Sequence, residues 1–142
     1  MIAQVDDALC QVVGRLLPPG AAVRLDAPKP AWQSESEHRS VDLFLFGMRG
    51  DATDTDQRYV LSYLVTAQAE KVGEEHELLD LAFGALAGAG ALRVDLRPED
   101  TVLASLRIAD VDPTGLWTSL GMPARAGFVV TVATPINGSR PA

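Results

Sequence analysis

Val41-Asp42-Leu43-Phe44-Leu45-Phe46 and Tyr59-Val60-Leu61-Ser62-Tyr63-Leu64-Val65-Thr66-Ala67 are the two stretches on which the fold turns. In the first, apolar side chains stand on both parities, as in a strand covered on both faces. In the second, Tyr59, Leu61, Tyr63, Val65 and Ala67 share one face, with Ser62, Thr66 and Gln68 partly opposite, the period of two of an extended chain. The segment between them, Gly47 to Gln57, contains Asp51, Asp54 and Asp56 and reads as a loop. Two strands joined in this way pair antiparallel, because a parallel pair needs a longer crossover. Strict βαβ alternation is absent, which disfavours a Rossmann-like fold.

Before this pair, Ile2, Val5, Leu9, Val12, Val13 and Leu16 recur at helical spacing and predict an amphipathic helix over 2–17, stopped by Pro18-Pro19-Gly20. Val23 and Leu25 alternate with Arg24 and Asp26 in a short strand, and Lys29 to Ser40 is a polar loop whose one large apolar residue is Trp32. After the pair, Gly73-Glu74-Glu75-His76-Glu77 opens a second helix with acids at its positive end. Leu78, Leu79, Ala82, Phe83 and Leu86 give it an apolar face, and Gly88 and Gly90 mark its exit. Thr101 to Ile108 alternates as a strand with Val102, Ala104, Leu106 and Ile108 inward. A turn at Asp112-Pro113-Thr114-Gly115 leads into a short helical piece around Leu116, Trp117 and Leu120, and Phe128 to Thr134 is the last strand. The predicted order is α-β-β-β-α-β-(short α)-β. It describes a single α+β domain over 1–135, with one mixed or largely antiparallel sheet of about five strands packed by two main helices and a short one. Residues 136–142 form a short polar tail.

The chain has 142 residues, of which 47% are hydrophobic and 22% charged, which suits one domain with its own core. Twelve Lys+Arg against nineteen Asp+Glu give a formal charge of −7, which argues against nucleic acid or an anionic membrane as the main partner. The apolar stretch from Leu78 to Leu92 is short for a membrane span. The start shows no secretory signal, so a cytoplasmic product is expected. The single cysteine, Cys10, excludes an internal disulfide and falls on or near the buried stripe of the first helix, where an inert thiol is expected.

Residues with catalytic chemistry are few. His38 lies in a polar loop beside Glu35 and Glu37. His76 and Asp80 stand at i and i+4 on the second helix with Glu77 adjacent, and could share a metal or act as an acid–base pair. The second histidine of H-E-x-x-H is missing, however. Asp51, Asp54 and Asp56 lack the Gly and Glu of a calcium loop. There is no G-x-S-x-G elbow and no phosphate-binding glycine fingerprint. No catalytic residue, metal or cofactor is assigned. Trp32 and Trp117, in a proline-bounded loop and beside a Gly-containing turn, are the candidate interface anchors, with a sheet-plugging role as the alternative for each.

Several strings, taken in order, resemble one family: Leu17-Pro18-Pro19-Gly20 with Asp26-Ala27-Pro28, Val41 to Phe46, Leu61 to Ala67, and Glu75-His76-Glu77-Leu78-Leu79. Leu116-Trp117-Thr118-Ser119-Leu120-Gly121 and Val130 to Pro135 complete the set. The chain resembles the N-terminal-domain family of the cap, or tail terminator, of phage-tail-like contractile injection systems. The resemblance implies a non-enzymatic subunit assembled in the bacterial cytoplasm, partnered with itself in a homohexameric ring, with the contractile sheath protein and with the inner tube protein. Some members of that family carry further domains after the last strand, whereas eight residues follow Thr134 here. The rival readings are a phage tail-completion or connector protein, and a small cytosolic enzyme using His76 with Asp80 or Glu77.

Overall fold

The computed structural model describes residues 1–28, 39–53, 56–97 and 100–135. Helix α1 spans Ile2–Gly14, followed by strands β1 (Ala21–Arg24), β2 (Arg39–Thr53) and β3 (Asp56–Gln68). Helix α2 (Val72–Ala89) leads into β4 (Ala91–Arg97), β5 (Asp100–Ile108), the short α3 (Thr114–Leu120) and β6 (Phe128–Pro135). All the strands join one sheet in the order β1-β2-β3-β6-β5-β4. Only β1 and β2 are parallel; every other neighbouring pair is antiparallel.

The α+β class and the antiparallel β2–β3 pair follow the sequence reading. Three details differ. The acidic segment read as a loop is mostly strand: β2 and β3 stay in register out to the Thr53–Asp56 pair. Its charged residues tolerate this because, at the end of a hairpin, Asp51 and Arg58 stand opposite each other across the two strands. A sixth strand, β4, follows directly on α2, because Gly90 at φ +70° turns the chain sharply out of the helix. Helix α1 ends at Gly14, short of the predicted residue 17.

Helices α1 and α2 lie together on one face of the sheet. From the helices come Val5, Leu9, Val13, Leu78, Ala82 and Leu86. The sheet supplies the odd-numbered set of β3 (Leu61, Tyr63, Val65, Ala67), Val41 and Leu43 of β2, and Leu92, Val94, Leu106, Val130 and Val132. The opposite face carries a smaller core, in which Leu64 and Val129 meet Trp117 and Met122, with Phe44, Leu116 and Leu120 at its margin. Thus β3, whose alternation had one face partly polar, is buried on both sides, whereas β2, read as covered on both faces, leaves Phe46 exposed at its outer edge.

Polar groups tie these layers at defined points. The Tyr63 hydroxyl donates to Asp6 Oδ1 of α1 at 2.6 Å, which lets a buried phenol sit beneath the helix with its polar end satisfied. Burial, then the Asp6 carboxylate, push the Tyr63 hydroxyl well above the usual phenol range, so it remains a donor. Arg125, just before β6, reaches Glu75 in the first turn of α2 at 3.1 Å and donates to the Ala67 carbonyl at 3.3 Å. Gly127 approaches the centre of the sheet so closely that a Cβ there would lie 2.9 Å from the Val65 carbonyl oxygen.

Gly127→Ala is therefore expected to lower stability by about 1–3 kcal/mol, as overpacking against backbone does. Gly84→Ala, on an open face of α2 with nothing within 4 Å, should raise it by about 0.5–1 kcal/mol. Urea midpoints of the two variants, compared with the parent chain, read both effects.

Candidate assembly surfaces

The residues singled out in the sequence fall in different places. Trp117 is 2% exposed and fills the second core between α3 and the sheet, so it plugs the sheet and offers no exposed anchor. Trp32 and His38 lie outside the described residues, as does Asp54. Asp51 stands on β2 and Asp56 opens β3, one on each arm of the hairpin.

His76 and Asp80 are exposed on α2 and stand over an open groove of about 510 Å³. The groove is otherwise lined by Leu79, Phe83, Phe128, Ala126 and Gly127, with Phe83 and Phe128 stacked edge to face at 5.0 Å. Glu77 is exposed on the next position of the helix and is not part of this lining. Among the described residues, no group of three or more His, Cys, Asp or Glu side chains could hold a metal ion. Burial, with Asp6 and Asp7 nearby, pushes the half-buried Cys10 thiol above its ordinary value.

The most constrained polar cluster lies at the β1–β2–β3 corner, on the face away from α1 and α2. Arg24 Nε donates to Asp42 Oδ1 at 2.8 Å, Arg24 Nη2 to Gln68 Oε1 at 2.7 Å, and the Ser40 hydroxyl to Asp42 Oδ2 at 3.1 Å. Asp42 is fully buried, as are Ser40 and Gln68. Burial pushes the Asp42 carboxyl above its ordinary value, against the opposing pull of Arg24 and Ser40. This cluster locks β1 to the sheet. It holds the parallel corner, because its hydrogen bonds run between β1, β2 and β3.

What the surface offers is strand edge and exposed apolar side chain. Strand β1 pairs with β2 only from Arg39 to Asp42; beyond that, the outer edge of β2 has no partner among the described residues. A bulge between Leu45 and Gly47 makes Phe46 an extra residue and leaves it 37% exposed, and Met48 is 56% exposed. At the far side of the sheet, β4 pairs on one side only, with β5. Leu92 and Val94 are buried beneath α1, while Arg93 and Asp95 alternate on its exposed face. A small polar cleft of about 120 Å³ runs between α1 and this edge, lined by Gln4, Asp7, Ala8, Gln11, Arg93 and Asp95.

No protein-family model matches the chain, and no curated protein matches it. Solved structures do. The sheath/tube terminator of PVC, an extracellular contractile injection system, in its extended state superposes over 96% of this chain with a TM-score of 0.72 at 16% identity. The tube-terminating cap of the anti-feeding prophage superposes over 96% with a TM-score of 0.73 at 14% identity. The chain shares the fold of both. It spans 56% and 55% of the lengths of those two proteins, so the likeness concerns one portion of each. Among the described residues, no helix is long and apolar enough to cross a membrane.

Three outcomes follow from the polar geometry. Arg24→Met strands a fully buried carboxylate and should cost about 3 kcal/mol. Because native Asp42 holds its proton more tightly than the unfolded chain does, its contribution to stability falls as pH rises from 3.8 through the higher native value. Asp42→Asn removes that slope, which is seen by comparing the urea midpoints of parent and variant along the acid limb. His76→Ala and Asp80→Asn, both on the exposed face of α2, should each change stability by less than about 0.5 kcal/mol.

Proposed function

We propose that this chain is a structural terminator, or cap, subunit of a contractile injection system. In this role it ends the inner tube and anchors the last layer of sheath as a closed six-fold ring. The observation that carries the reading is the superposition of nearly the whole chain on two proteins named as terminating a tube. The described residues add support from their chemistry: the buried polar groups are spent on holding elements together, while the surface offers open strand edges and exposed apolar side chains. Such edges are what a protein uses to join other chains by main-chain hydrogen bonds. A closed ring suits the task, because cyclic symmetry stops an assembly that would otherwise continue to grow. The partners are further copies of the chain, the tube protein and the sheath protein. Assembly takes place in the bacterial cytoplasm, and no catalytic step is part of the role.

An end-tagged copy, expressed in the producing cell and imaged on purified particles by electron microscopy, is expected at the one end opposite the baseplate. Deleting the chain should leave tubes of uncontrolled length or sheath that detaches. Label along the whole particle, or particles of normal length and contraction after deletion, would overturn the reading.

A further inference from the structure

The two open edges of the sheet have a relation that the strand order fixes. From β2 through β3, β6 and β5 to β4, every neighbouring pair is antiparallel, so four reversals leave β2 and β4 running in the same direction at opposite sides of one sheet. Two copies standing side by side, with their helices on the same side, therefore present β4 of one to β2 of the next as parallel neighbours. That contact is heterologous: it leaves each copy with the complementary edge still free, and it repeats until rotation closes it.

The residues along the two edges match in this arrangement. The β4 strand is seven residues long, and the β2 stretch from Leu45 to Asp51 lies beyond the reach of β1. Ala91 set beside Leu45 faces the other way, but past the β2 bulge the faces agree: Gly47 falls next to Arg93, Met48 next to Val94, and Arg49 next to Asp95. Met48 pairs with Leu61 and so lies on the helix-covered face, where Val94 also lies. Arg49 pairs with Val60 and lies on the opposite face, as does Asp95, which pairs with Thr101. The one register thus covers the exposed Met48 and sets opposite charges side by side across the new strand pair.

A third observation lies beside β4. Gln4 Oε1, in the cleft between α1 and that edge, is buried with no hydrogen-bond partner among the described residues. Buried acceptors of this kind are rare in complete structures, and a second copy laid along β4 closes the open side of the cleft with the side chains of its own edge.

We propose that the β2 edge of one copy, from Leu45 to Asp51, pairs in parallel with the β4 edge of a second copy, making the sheet continuous around the ring. The proposal rests on the ring reading given above and names its contact. Self-pairing of β4 with β4, or of β2 with β2, would also oppose Arg and Asp. However, β4 self-pairing leaves Phe46 and Met48 uncovered, and each self-pairing stops at a dimer.

Cysteine mixing separates these contacts. In a Cys10→Ser background, Arg49→Cys and Asp95→Cys are made as single variants of two sizes, one carrying a tag, and oxidised at high protein concentration alone and mixed. The mixed-size disulfide dimer is expected only in the mixture of the two variants. Dimer from either variant alone, or none in the mixture, would overturn the pairing. A charge exchange reads the same contact without a new thiol. The parent chain at high concentration is expected to give a higher-mass species by light scattering, Arg49→Asp or Asp95→Arg alone should abolish it, and the double exchange should restore it; no such species in the parent, or loss without restoration, counts against the pairing. The outcome is separable from that of the function. Label at the particle end with no Arg49–Asp95 cross-link leaves the cap and removes this contact, while cross-linking by a chain absent from particles does the reverse.

Discussion

Tyr63 and Leu64 are consecutive residues of one strand, point to opposite faces of the sheet, and are both fully buried. That single constraint organises the molecule. One face of β3 must be covered by α1 and α2, and the other by α3 with its flanking turns, or an interior strand would expose a row of large apolar side chains to water at roughly 25 cal/mol per Å². The chain meets the demand unequally. The face under α1 and α2 carries the larger core, whereas the other is sealed by a seven-residue helix anchored on Trp117 and Met122. With the sheet's centre committed on both sides, its edges and the groove beside α2 remain open to other molecules.

The polar interior serves the same end. Asp42 is buried on the face away from the two long helices because β1 needs a fastening there that a parallel pair of four residues cannot supply by its ladder alone. Arg24, Ser40 and Gln68 supply it from three strands. Asp6 and Tyr63 fasten α1 in a similar way, and Arg125 with Glu75 fastens the start of α2 to the approach of β6. Apart from Ser40 with Asp42 within β2, these contacts join elements far apart in sequence. Buried charge is thus spent on rigidity, while the surface shows open strand edge and an exposed Met48.

The likeness to two tube terminators extends this argument without replacing it. At 14–16% identity, most positions differ, so the shared feature is the arrangement of three helices on one sheet. Residue-level contacts must come from this chain's own edges. The alternation of Arg and Asp along β2 and β4, together with exposed Phe46 and Met48, is where that information resides.

Period and punctuation by themselves determined much: the α+β class, the antiparallel pairing of β2 with β3, the inward set Leu61, Tyr63, Val65 and Ala67, and the exit from α2 at Gly90. These are local signals, since side-chain alternation and a residue tolerant of positive φ act within a few positions. The strand β4 was legible in principle, because Leu92, Val94 and Leu96 alternate with Arg93, Asp95 and Arg97. It was hidden by the run of Ala, Gly and Leu before it, which reads as one continuous apolar stretch. The hairpin's length was obscured by its aspartates, whose dislike of strands is overridden when an arginine stands opposite. Only the tertiary structure decided that Trp117 is core, that His76 and Asp80 stand at an exposed groove with no third ligand among the described residues, and that the sheet's edges are β4 on one side and β1 with the length of β2 beyond it on the other. Burial and edge position depend on which strands become neighbours, and that is set by long-range packing which no local period records.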